Sequence, residues 1–289
     1  MRSTDLEILA VLAQELNMRK AAERLYISQP ALSQRLQSIE KSWGQQIFLR
    51  SQKGLTLTPP GEKIIQHVNE TLRREQKLLD ELTSLEDHVS GTLKLAVASI
   101  VGQYWLPGVL KEFVRLYPLV RISLTTGWSS DSLKHLYEDN FHIGIIRGEP
   151  EWKGDKTHLF SDELYLVDTS ITSLDELKQA TRPFIQFKSD STYHQEIRSW
   201  WRNQLGGLPE RTIVVDQIET CKQLALNGIG YAILPSISLT ADDHHINKIL
   251  LLDDQQRPLQ RETWLLSNKT SRQLKQVKAF IDLVTNNKG

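Results

Sequence analysis

Apolar residues recur at helical spacing over residues 4–15, at Leu6, Leu9, Ala10 and Ala13, which predicts a helix with one buried face that closes at Leu16-Asn17. Asn17 can cap a second short helix holding Ala21, Ala22 and Leu25, and Tyr26-Ile27-Ser28 then turns the chain into a third. Ser28 suits the cap of that third helix because its hydroxyl can accept an otherwise unpaired backbone N–H. Pro30 fits the first turn, where a missing N–H costs little. Leu32, Leu36 and Ile39 then form one buried stripe and leave Gln29, Ser33, Gln34 and Gln37 on an uncharged, amide-rich opposite face. Phe48-Leu49-Arg50 and Leu55-Thr56-Leu57 alternate like strands around Gln52-Lys53-Gly54, a two-stranded wing with a basic tip.

Thr58 caps a long helix with Pro59 at its first position, predicted to run to about His88. Ile65, Val68, Leu72, Leu79 and Leu82 recur along it at alternating three- and four-residue steps, with Glu75 interrupting. Such a stripe can pair with a second copy, the alternative being a helix packed on its own domain. After Ser90-Gly91 the pattern changes. Strand-like runs at 93–98, 120–125, 142–146, 164–168, 183–186, 212–215 and 230–234 alternate with helical stretches, predicting an α/β region with largely parallel sheets. The expected organisation is α+β and multidomain. A winged helix-turn-helix spans 1–58, a linker and dimerisation helix 59–90, and a two-lobed α/β domain 91–289, with lobe I at 91–161 and 266–289 and lobe II at 162–265.

Length and composition fit this plan, since 289 residues exceed one ordinary domain and the 39% hydrophobic and 24% charged content is that of a globular protein. Lys plus Arg equals Asp plus Glu at 35 each, so net charge gives no sign of a nucleic-acid partner. The local balance differs: from Arg19 to Lys63 eight basic residues stand against three acidic ones, a segment able to face phosphates. Cys221 is the sole cysteine, which excludes an intramolecular disulfide and a cysteine zinc cluster. The N-terminal stretch lacks a basic leader with an uninterrupted apolar core, and no apolar run approaches the roughly 20 residues of a membrane span. A cytoplasmic protein without membrane association is expected.

The run Ala21-Ala22-Glu23-Arg24-Leu25-Tyr26-Ile27-Ser28-Gln29-Pro30-Ala31-Leu32-Ser33-Gln34, followed by Leu36, Ile39-Glu40, Gly44, Ile47-Phe48, Arg50, Leu57-Thr58 and Gly61, resembles the LysR-family DNA-binding domain almost position for position. Val215-Asp216 and Leu226-Asn227-Gly228-Ile229-Gly230-Tyr231-Ala232-Ile233-Leu234-Pro235 resemble the family's second-lobe signature, so the likeness covers essentially the whole chain. Met18-Arg19-Lys20, Pro60 and His142 depart from the family pattern, and His142 replaces a common acidic residue before the third strand of lobe I. More narrowly, Asn17-Met18-Arg19-Lys20-Ala21-Ala22, Gly144-Ile145-Ile146-Arg147-Gly148, Phe187-Lys188-Ser189-Asp190 and Asp216-Gln217-Ile218-Glu219-Thr220-Cys221-Lys222 are similar to the citrate-responsive catabolite control proteins of Gram-positive bacteria. The resemblance implies a transcription regulator, not an enzyme, with a periplasmic-binding-protein-like effector domain and no cofactor. It implies double-stranded operator DNA with inverted-repeat half-sites and a homodimer through the linker helix, assembled into a homotetramer. It further implies a small carboxylate effector, citrate, and control of tricarboxylic-acid-cycle genes such as those for aconitase and citrate synthase.

Glutamine can pair bidentately with adenine in the major groove, and serine can reach several base edges. Gln29, Ser33, Gln34 and Gln37 are therefore expected to read bases, with Pro30 against a thymine methyl, while Ser28, Arg35, Arg50 and Lys53 hold phosphates. For the effector, Ser99-Ile100-Val101 opens a helix after the first strand of lobe I, Ser129-Ser130 does so after the second, and Arg147 ends the third, close to Glu149. Arg261 on the return strand would be a second fixed cation for a di- or tricarboxylate, with Thr192 and Gln217 contributed by lobe II. Two other classes compete: a cytoplasmic solute-binding protein, which the first 60 residues argue against, and an enzyme built on Asp242-Asp243 and His244-His245. The chain has no His-Glu-x-x-His pattern, phosphate loop or Gly-x-Ser-x-Gly elbow. Trp200-Trp201 reads as core.

Overall fold

The computed structural model describes residues 3–51, 54–83, 88–188 and 193–286, and the chain divides into two compact units, Met1–Thr83 and Ser84–Gly289. The first unit comprises α1 (Ser3–Glu15), α2 (Met18–Arg24), α3 (Gln29–Trp43), β1 (Phe48–Ser51), β2 (Gly54–Leu57) and α4 (Pro59–Thr83). The capping residues act as their chemistry dictates. The Asn17 side chain accepts the N–H groups of Arg19 and Lys20 at 3.0 and 3.1 Å, and Ser28 accepts that of Ala31 at 3.4 Å. The Thr58 hydroxyl accepts the Gly61 N–H at 2.9 Å and donates to the Gln46 carbonyl at 2.6 Å, fastening the start of α4 to the entry of the wing. Glu40 accepts the N–H groups of Ile47 and Phe48 at 2.8 and 3.1 Å, so the end of α3 also sets where β1 begins. The strands pair antiparallel, and Leu55 N–H donates to Leu16 O at 2.7 Å. A side chain at Gly54 would place its Cβ 2.5 Å from that same carbonyl, so only glycine lets β2 sit this close.

Leu9, Leu12, Leu32, Leu36, Ile47 and Val68 are fully buried in the core of this unit, and Arg35 ties α3 to α1 through Asp5 at 2.6 Å. The expected apolar stripe of the long helix is divided between two tasks. Ile65 and Val68 are buried in the unit's own core and Leu72 packs on it, so they are not available to a second copy. Only further along α4 are Leu78, Leu79 and Leu82 exposed.

The second unit runs β3 (Gly91–Ala98), α5 (Ser99–Tyr104), α6 (Leu106–Leu116), β4 (Val120–Gly127), α7 (Ser129–Tyr137), β5 (Ile143–Arg147), β6 (Asp155–Asp168), α8 (Leu174–Lys178), β7 (Phe184–Phe187), α9 (Tyr193–Leu205), β8 (Thr212–Val215), α10 (Ile218–Leu226), β9 (Tyr231–Pro235), β10 (Asn247–Leu250), β11 (Gln260–Ser267) and α11 (Lys275–Asn286). Among the described residues these strands form one sheet in the order β4-β3-β5-β11-β6-β9-β7-β8, with β10 paired to β6. The two ends are parallel as expected, but the middle is antiparallel: β11 pairs with both β5 and β6, and β6 with β9 and β10. The 14-residue β6 extends well before the run predicted at 164–168, because its first residues are polar and half-buried and carry no clean alternation. The return to lobe I begins earlier than 266: Thr263, Trp264 and Leu265 already pair with Arg147, Ile146 and Ile145.

Lobe I buries Leu93, Leu95, Val97, Phe113, Leu265 and Phe280 in one cluster, and lobe II packs Leu164, Phe184, Trp200, Trp201 and Ile233 in another. Trp200 and Trp201 are core residues, Trp201 lying 4.8 Å from Phe184 and 5.9 Å from Tyr231 between ring centres. Cys221 is buried with its thiol toward the Ile185 carbonyl, and burial pushes that thiol up to about 12.

The His142 Nδ1 accepts the Lys94 N–H at 3.2 Å, and the His142 backbone N–H donates to Lys94 O at 3.0 Å. Burial, helped by the Lys94 charge, lowers its pKa to about 4. Below its ordinary value of about 6.5, the unfolded chain takes up a proton that the folded chain refuses. Stability from this site is therefore complete above about pH 6.5 and falls as the pH drops toward 4. Urea unfolding should show a loss on the order of 3 kcal/mol across that window, and His142→Asn should remove this part of the pH dependence. An unchanged slope in the variant would contradict the assignment.

Candidate functional site

In the first unit the stripe Leu32, Leu36 and Ile39 faces inward, which leaves Gln29, Pro30, Gln34 and Gln37 exposed beside the Ser28 cap. Ser33 is half-buried and accepts a hydrogen bond from Arg50 Nη1 at 3.0 Å, so the exposed Arg50 of β1 lies against this helix face. The face carries amide groups at the helix start, the geometry that admits bidentate contact with base edges. Arg35 is placed differently from the phosphate role expected of it, being half-buried and ion-paired with Asp5 inside the unit. Lys53 lies outside the described residues. Tyr26, passed over as a turn residue, is 95% exposed at a positive φ of 56° two positions before the cap.

In the second unit a cavity of about 360 Å³ opens between the lobes. Ser99 and Ile100 at the start of α5, Ser129 at the start of α7, Arg147 at the end of β5, Gln217 before α10 and Arg261 on β11 all line it, so six of the expected effector residues are brought together. Ser99 Oγ donates to Gly127 O at 3.1 Å and Ser129 Oγ accepts the Arg147 N–H at 3.1 Å, which ties the ends of β3, β4 and β5 into one wall. The Arg147 guanidinium donates to both oxygens of Asp162 and to Thr263 Oγ1 at 3.0 Å. The Arg261 guanidinium donates to Glu196 at 3.1 Å, lies 5.0 Å from the centre of the Tyr193 ring and rests over Gly148. Gly148 has a φ of 85°, and a Cβ there would come within 3.3 Å of Arg261 Nη2. Burial lowers the pKa of Arg261, Glu196 opposes this and Arg147 adds to it, which marks the two guanidiniums as electrostatic neighbours. Burial raises that of Tyr193, whose hydroxyl donates to Ile233 O at 3.0 Å.

Side chains also meet across the lobes. Tyr104 of α5 donates to Glu219 of α10, and the Lys188 ammonium lies 5.7 Å from the centre of the Trp128 ring. Three expected residues fall elsewhere. Val101 is fully buried in the core of lobe I because α5 turns it inward, and Ser130 and Glu149 are exposed outside the cavity lining, Glu149 lying 3.7 Å from Lys156. Thr192 lies outside the described residues. Gln103, Thr126, Trp128, Tyr193 and Asp216 line the cavity without having been singled out for it. Trp128, Asp216 and Tyr193 each adjoin an expected site residue in sequence, Ser129, Gln217 and Thr192 respectively. Among the described residues no group of His, Cys, Asp or Glu could hold a metal ion, and His244 and His245 are exposed.

Residues 3–62 match the family model for the bacterial regulatory helix-turn-helix protein, lysR family, and residues 86–288 match the LysR substrate binding domain. The chain belongs to the LysR family. The uncharacterized HTH-type transcriptional regulator YkuM of Bacillus subtilis (strain 168) is 60% identical over 284 residues, covering 98% of this chain and 97% of the relative. CysL of the same organism, also an HTH-type transcriptional regulator, is 24% identical over 290 residues, with 98% and 96% covered. Full-length CbnR complexed with its target DNA has a TM-score of 0.70 at 20% identity, covering 99% of each chain, and shares the fold. This LysR-family chain is thus a DNA-binding transcription regulator, not an enzyme. No helix among the described residues is long and apolar enough to cross a membrane.

For a LysR-family regulator the exposed amides of α3 carry a specific expectation. Gln29→Ala should weaken operator binding by about 1–3 kcal/mol and relax base preference at one position, whereas Arg50→Ala should mainly flatten the salt dependence. Fluorescence anisotropy on selected DNA at several salt concentrations measures both effects. Wild-type behaviour of both variants would remove α3 and the wing from the interface.

Proposed function

We propose that this regulator binds inverted-repeat operator DNA as a dimer and responds to a small carboxylate, citrate, held between the lobes of its second unit. Two buried arginines on one wall of the interlobe cavity are the observation that carries the reading. Arginine presents a planar fork that matches carboxylates bidentately; Arg261 supplies such a fork, and Arg147, whose fork Asp162 already holds, places a second guanidinium beside it. The cavity of about 360 Å³ is at the small end of ligand pockets, the size range for such an anion. Ser99 and Ser129 add hydroxyls on the same wall, and Asp216 on the lobe II side leaves the arginine side as the place for negative charge.

The exposed Leu78, Leu79 and Leu82 of α4 support pairing with a second copy, and two paired dimers would give the tetramer. A dimer sets two α3 helices on half-sites about one helical turn apart or a multiple of it. The likeness to citrate-responsive regulators supports control of tricarboxylic-acid-cycle genes such as aconitase, in the cytoplasm where the DNA is. Effector binding changes operator occupancy only if it favours one lobe or subunit arrangement over another. A family member tuned to a different small anion is the second reading, which the same two arginines would serve.

Calorimetry with the full chain decides between them. Citrate should bind the wild type, and Arg147→Ala and Arg261→Ala should each weaken it at least about tenfold, or 1.4 kcal/mol, with near-UV circular dichroism confirming the fold. Absence of citrate binding would remove citrate from the account, and unchanged binding in both variants would remove the arginine wall.

A further inference from the structure

The two arginines of the cavity are held by partners of different kinds. Arg147 and its partner Asp162 are both buried, with side chains 7% and 8% exposed, and sit on β5 and β6 of the central sheet, either side of β11. Arg261 is as deeply buried at 5%, but its partner Glu196 is 45% exposed and belongs to the first turn of α9 in lobe II. Asp162 cannot leave Arg147 without becoming an unpaired buried charge, which is strongly unfavourable. Glu196 is nearly half exposed, so water can solvate its carboxylate once it turns away from Arg261. Arg261 in turn cannot be left bare in its low-dielectric surroundings, so Glu196 leaves readily only when another anion replaces it.

The surroundings of Arg261 fit such an exchange. The Tyr193 ring lies 5.0 Å from the guanidinium and the Gly148 backbone also lies close against it, and the Tyr193 hydroxyl is anchored to Ile233 O at 3.0 Å. The fork is therefore held in place by contacts that do not depend on Glu196. Arg261 and Tyr193 line the cavity, whereas Glu196 does not; it reaches the cation from outside the lining.

We propose that Glu196 is a built-in competitor: it neutralises Arg261 when the interlobe cavity holds no effector, and an incoming carboxylate displaces it. The exchange sets the concentration at which the regulator responds and releases the start of α9 from β11 when the effector binds. It rests on the cavity being a carboxylate site, as proposed above. The apparent affinity of the wild type is then lowered by the fraction of molecules in which Glu196 occupies the cation.

Titration of the full chain with citrate by calorimetry, for wild type, Glu196→Gln, Arg261→Ala and the double variant, tests the exchange. Glutamine keeps the size and the hydrogen-bonding capacity of the side chain while removing its charge. The Glu196→Gln protein should bind citrate about tenfold more tightly than wild type, and in the Arg261→Ala background the same substitution should change nothing. Equal or weaker binding by Glu196→Gln, with Arg261→Ala still weakening both, would overturn the exchange while leaving the carboxylate site standing. An equal gain in both backgrounds would show a general charge effect and also overturn it. Citrate binding to none of the four proteins would overturn the exchange together with the site beneath it.

Discussion

Strand β11 pairs with β5 along one edge and with β6 along the other, and this double pairing determines what the second unit can do. It sets Arg261 and Thr263 of β11, Arg147 of β5 and Asp162 of β6 side by side at the place where the sheet passes from one lobe to the other. Every register partner in that joint is a backbone pair, and its centre is almost fully buried: Arg147, Asp162, Arg261 and Thr263 all have under a tenth of their surface exposed. Burying that much charge is tolerable only because each cation has a carboxylate and each carboxylate has donors. The consequence is a preorganised cationic wall whose side chains lose little further freedom when an anion arrives.

Contacts outside the joint are of another type. Tyr104 and Gln103 with Glu219, and Trp128 with Lys188, are side-chain contacts between lobes, and Glu196 is nearly half exposed. They are cheap to make and break compared with a ladder of backbone bonds, so lobe movement is expected to remodel them and to leave β6 and β11 unchanged. A ligand that prefers the lobe arrangement offering both arginines shifts the population toward it. A ligand indifferent to lobe arrangement has no effect on DNA binding, however tightly it is held.

Much of this plan can be read from the residues alone, and the exceptions share a cause. Helix starts at Asn17, Ser28 and Thr58 were readable because capping is local chemistry, and the inward stripe of α3 because its period is unambiguous. The seven strand runs were found for the same reason. The first half of β6 escaped because half-buried polar residues do not alternate, and the α4 stripe, expected to form a seam or to pack on its own domain, divides between the two, its first half packing on α1. Periodicity reports that a face is apolar, not what covers it. In the cavity, the residues ending strands or opening helices converged as expected, since the ends of parallel strands meet at one edge. Val101 failed because a short helix turns its third residue inward. Asp162 and Glu196, the partners of the two arginines, lie 15 and 65 residues away in sequence and carried no motif.

Hydrogen–deuterium exchange on the full chain, with and without citrate, tests the central claim of a fixed cationic joint between movable lobes most directly. The account predicts that citrate increases protection in residues 99–104, 127–130 and 216–219 on the two cavity walls, while β6 and β11 are strongly protected and unchanged in both states. Protection confined to one lobe, or a joint that exchanges as fast as the loops around it, would contradict it.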